Sequence, residues 1–82
     1  MGLKKLAAKV TDYNERFERG KASKIKPSHV RQVLEKLRQK AAELEAEIAS
    51  AKNPDKKSRL KRKLGIALEH MKRADWLLNE VS

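Results

Sequence analysis

The chain has 82 residues, with 21 Lys plus Arg against 11 Asp plus Glu and a formal net charge of +10. A chain this short makes one domain, 1–82, with a small core, which argues against a deep, walled active site. With no cysteine, disulfides and thiolate metal sites are excluded, and with three aromatic residues the core must rest on aliphatic side chains.

Leu3, Leu6, Val10, Tyr13 and Phe17 recur at 3-4 spacing, which makes one apolar stripe on a helix over 3–19. Gly20 is placed to stop that helix. Residues 20–26 are basic and aperiodic and read as a linker. Pro27 suits the first turn of a second helix, with Ser28 as a competing cap.

The second helix, 27–52, carries Val30, Leu34, Leu37, Ala41, Leu44, Ile48 and Ala51 as a heptad seam. Asn53-Pro54 interrupts it as an N-cap and a first-turn proline. The third helix, 54–81, repeats the seam with Leu60, Leu64, Ala67, Met71, Ala74, Leu78 and Val81. Two matched seams joined by so short a connection predict an antiparallel hairpin. With the turn near Pro54, Ile48 faces Leu60, Leu37 faces Met71 and Val30 faces Leu78. The same register sets Glu45 against Lys61, Glu47 against Lys63 and Arg31 against Asp75, three pairs of opposite sign. The fold class expected is therefore all-α: a coiled-coil-like two-helix hairpin plus an N-terminal amphipathic helix, a three-helix bundle, with dimerisation as an added option.

Val33, Ile66, Leu68, Trp76 and Leu77 lie off the seam. A bare hairpin would leave them wet, so either the first helix or a second copy of the chain is expected to cover them. Gly65, inside the third helix, either admits a close helix approach or is a tolerated surface glycine.

No catalytic constellation stands out. His29 and His70 fall far apart in the expected hairpin, no zinc-ligand spacing occurs, and nucleophile elbows and phosphate-binding glycine loops are missing. Glu43, Glu45 and Glu47 spread around a helix rather than converging. The sequence thus predicts a non-enzymatic protein with no metal, cofactor or small-molecule substrate. No apolar run reaches the roughly 20 residues that span a bilayer. A signal peptide is not expected, and Leu6 departs from the myristoylation pattern. The expected setting is cytoplasmic.

The basic residues are the informative set. Lys52, Lys56, Lys57, Arg59, Lys61, Arg62 and Lys63 stand around the hairpin tip against one acid, Asp55. Six of the seven occupy the first turns of the third helix, where the dipole disfavours cations by about 0.3–1 kcal/mol each. A placement that opposes local stability points to a use elsewhere. Arg16, Arg19, Lys21, Lys24 and Lys26 form a second cluster at the other end. The leading expectation is electrostatic binding of RNA or DNA backbone through Lys52, Lys56, Lys57, Arg59 and Arg62, assisted by Lys21, Lys24 and Lys26. The alternative is a protein-interaction or scaffold module, self-associating or docking a partner helix through an apolar surface around Ile66, Leu68, Trp76 and Leu77. A membrane-surface role for the first helix ranks third, because its acids and short stripe make a weak anchor.

Overall fold

The computed structural model describes residues 2–81, with Ala22 as backbone only. It contains three helices, α1 (Leu3–Glu18), α2 (Pro27–Ser50) and α3 (Pro54–Val81), with a 3₁₀ turn at Ala22–Lys24 between the first two. There is no strand among the described residues. The all-α, three-helix arrangement is the one the apolar spacing predicts, with α1 and α2 ending one and two residues earlier than expected.

Each helix boundary has a local cause. Arg19 caps α1, and Gly20 then takes φ +75°, the left-handed conformation that suits glycine. Its N–H donates to the Phe17 carbonyl at 3.0 Å while the Lys21 N–H donates to Arg16 at 2.8 Å. These two bonds satisfy carbonyls the helix end would otherwise leave open. Pro27 opens α2 at its first position, with Lys26 in the extended N-cap position. Ser28 is therefore inside the helix and is not its cap. Asn53 does cap α3: the Asp55 N–H donates to Asn53 Oδ1 at 2.9 Å.

α2 and α3 form the antiparallel hairpin, and α1 packs across its open end, running antiparallel to α2. Leu3, at the start of α1, reaches the cluster of Ala41, Leu44, Leu60 and Ala67. Farther along, Leu6, Val10, Tyr13 and Phe17 pack on the cluster that holds Val30, Val33, Leu34, Leu37, Ala74 and Leu77. The helices have 16, 24 and 28 residues, so α1 is about 24 Å long against about 36 and 42 Å for the arms. The tip consequently projects as a bare helix pair, and the molecule is elongated at 47 × 19 × 18 Å.

Burial follows this geometry. Where three helices meet, Val10, Val30, Leu37 and Leu77 are fully enclosed. Toward the tip, Ile48, Ala51 and Leu64 are only partly covered. Leu77 is buried in preference to its seam neighbour Leu78, because a heptad drifts about 20° on a straight helix and α1 covers the side on which Leu77 projects. Ile25, a lone apolar residue in the basic linker, is also in the core at 3% exposure. The linker is thus pinned rather than loose.

Two expectations need correction, and one pair of alternatives is decided. The pairs Glu45 with Lys61, Glu47 with Lys63 and Arg31 with Asp75 do not form. The ion pairs among the described residues are Asp12–Arg16, Glu35–Arg38, Lys40–Glu43 and Glu69–Arg73, each within one helix. Solvated pairs gain at most about 1 kcal/mol, too little to hold long side chains across a wet flank. Of the two readings of Gly65, the surface glycine is the one that holds, since a Cβ there would meet nothing within 4 Å. Finally, Leu77 is core and belongs to no docking surface.

Candidate nucleic-acid interface

The tip is a short, well-braced connection. Ala51 leaves α2 in extended conformation with its N–H on the Ile48 carbonyl at 3.3 Å. Beyond Lys52, the Asn53 side chain and carbonyl cap α3, the carbonyl accepting from the Lys57 N–H at 3.0 Å. Lys52, Lys56, Lys57, Arg59 and Arg62 are all exposed on this frame. None of them takes part in the ion pairs, and neither does Lys61 or Lys63. The loss of the expected partners for Lys61 and Lys63 leaves all seven tip cations outside the ion pairs among the described residues.

Helical phase sorts them into two groups at about 100° per residue. Lys56, Arg59, Arg62 and Lys63 stand on the side of the hairpin that α1 covers lower down, and Lys57 and Lys61 stand on the other flank. Lys63 also lines a hollow of about 600 Å³ where α1 begins, together with Lys4, Lys40, Leu44, Leu60, Ile66 and one acid, Glu47. The cationic surface therefore wraps the tip and extends toward α1.

Lys21, Lys24 and Lys26 are exposed at the opposite end of the long axis. Buried Ile25 anchors this segment between Lys24 and Lys26, and the Lys24 N–H donates to the Lys21 carbonyl at 3.0 Å. Lys21 and Lys24 share a hollow of about 500 Å³ with Arg16, Arg19, Asp12 and Glu15. Two facts distinguish this cluster from the tip. Its cations sit at the C-terminus of α1, where the dipole favours them, and Arg16 is bound to Asp12 at 2.9 Å. Local structure accounts for much of this cluster and for little of the tip.

The apolar residues expected to share a protein-docking surface are not brought together on one face. Ile66, Leu68 and Trp76 are exposed at 46%, 45% and 50%, and Leu77 is fully buried. Ile66 and Leu68 point to opposite sides of α3. Leu68 edges a groove on the face away from α1, beside Leu34 and Met71, while Ile66 lies at the start of α1. Trp76 packs edge-on against Phe17, with ring centroids 5.3 Å apart and planes at 79°. It therefore braces the end of α1 on α3, and half of its surface remains wet.

The histidines are separate, as the hairpin requires. The His70 Nδ1–H donates to the Ile66 carbonyl at 2.9 Å, a bond within α3, and His29 opens α2. Among the described residues no three His, Cys, Asp or Glu side chains converge as metal ligands. No helix there is long and apolar enough to cross a membrane. No family model, no curated protein and no solved structure matches this chain.

Proposed function

We propose that the protein binds nucleic acid through backbone phosphates, with the hairpin tip as the primary contact. The observation that carries this reading is the set of seven unpaired, exposed cations at a projecting tip, six of them in the first turns of α3. For Lys56 and Lys57, which stand in the first turn of α3, the helix dipole adds to the positive potential instead of offsetting it. A rigid rod of this kind presents its end to a polyanion without ordering a loop first, so little entropy is lost on contact. Contacts of this chemistry read phosphate rather than sequence.

The test is a titration of labelled RNA and DNA followed by fluorescence anisotropy. The chain should bind at low salt with little sequence preference. Replacing Lys56, Lys57, Arg59 and Arg62 with Glu should abolish binding while the circular dichroism spectrum stays helical. No binding by the unaltered protein at low salt would remove the reading.

A further inference from the structure

This inference rests on the reading of the tip as a phosphate contact and extends it along the molecule. Where α1 lies against α2, a hollow of about 200 Å³ is lined by Lys9, Tyr13, His29, Gln32, Val33 and Lys36. Each of the five polar side chains can donate a hydrogen bond, and none is a carboxylate. None of them makes a side-chain hydrogen bond or ion pair among the described residues. The Tyr13 ring packs beneath the Arg16 guanidinium, 6.0 Å from the ring centre, which leaves its hydroxyl unengaged.

The nearby acids do not answer this charge. Asp12 is held by Arg16 at 2.9 Å and Glu35 by Arg38 at 3.8 Å, each on its own helix. Lys9 and Lys36 are thus brought to one hollow from two different helices with no acid lining it. The first turn of α2, which supplies His29, contains no acid and adds its own partial positive charge. Unused donors, two lysines lining one hollow and a helix start together describe a site for an anionic oxygen group.

The hollow also continues toward the tip. It shares Lys36 with a second hollow lined by Gln39, Lys40 and Glu43. That one, where Lys40 pairs with Glu43 at 3.8 Å, shares Lys40 with the hollow at the start of α1, where Lys63 stands beside Glu47. Lys63 is one turn from Arg59 at the tip. We infer that the α1–α2 groove centred on Lys9, His29 and Lys36 is a second phosphate-binding site. It takes backbone phosphates of the same nucleic acid that the tip engages.

The experiment compares salt dependence, because each Lys–phosphate contact contributes about 0.9 to the slope of log K against log salt on a duplex. The probe is a labelled RNA or DNA duplex titrated with the full chain between about 50 and 200 mM salt. Lys9→Gln with Lys36→Gln should make the slope shallower by about 2. A control with equal charge loss on other faces, Arg31→Gln with Lys72→Gln, should leave the slope near that of the unaltered protein. All four residues are exposed and Gln is a good helix former, so both variants keep the fold. If the groove variant changes the slope no more than the control, the groove site is overturned while the tip reading stands. If the unaltered protein fails to bind at about 50 mM salt, the tip reading falls and the groove falls with it.

Discussion

The tip cations oppose the helix they stand on, and this gives a prediction about stability that is separate from binding. Asn53 is the N-cap of α3, Pro54 and Asp55 follow, and Lys56 and Lys57 complete the first turn. Changing both lysines to Glu removes two unfavourable charge–dipole terms and adds two favourable ones, each about 0.3–1 kcal/mol. A Glu at position 56 also stands where it can return a hydrogen bond to the Asn53 N–H, completing a reciprocal cap. Repulsion from neighbouring Asp55 takes back part of this gain, which leaves about 1–2 kcal/mol in total. At about 2.1 cal/mol/K per residue the unfolding entropy of 82 residues is about 0.17 kcal/mol/K, so Tm should rise by about 6–12 °C. Thermal melts at low ionic strength measure this directly, and the gain should shrink as salt screens the dipole. A lower Tm for the double variant would show that Lys56 and Lys57 serve the fold, and would take away the argument that they are placed for a ligand.

Other outcomes follow from the packing. Gly65→Ala should stabilise by about 1 kcal/mol, because the new methyl meets nothing and helical glycine is costly; an unchanged or lower Tm would contradict the open surface there. Leu77→Ala should cost about 2–5 kcal/mol, since Leu77 is fully enclosed between α1 and the hairpin. Leu68→Ala, at 45% exposure, should stay within about 0.5 kcal/mol, both variants being measured by urea titration. Asn53→Ala should cost about 1 kcal/mol through loss of the α3 cap.

The hairpin was legible in the sequence because its signal is a period. Val30 to Ala51 and Leu60 to Val81 repeat at heptad spacing, and Asn53-Pro54 marks the break with cap chemistry that needs no tertiary context. What escaped depends on where α1 docks. Ile25 has no periodic neighbours, so nothing in the linker marks it as a core residue. Leu77 and Leu78 are adjacent, and only the position of α1 decides which is buried. The cross-hairpin ion pairs were compatible with the register, but register compatibility does not hold exposed side chains together in water. The tip cluster was visible as a run of basic residues, whereas Lys9, His29 and Lys36 meet only after α1 folds back on α2. Their spacing along the chain carries no mark of that meeting.

Phosphate contact at the tip is the point on which the functional reading turns, and the salt dependence of duplex binding measures it. With Lys52, Lys56, Lys57, Arg59 and Arg62 engaged, the slope of log K against log salt should be about −4 or steeper. Replacing these five with Gln should flatten it by about 4 while the helical spectrum is retained. A slope near zero for the unaltered protein, or one that the five substitutions leave unchanged, would contradict the assignment of the tip as the contact.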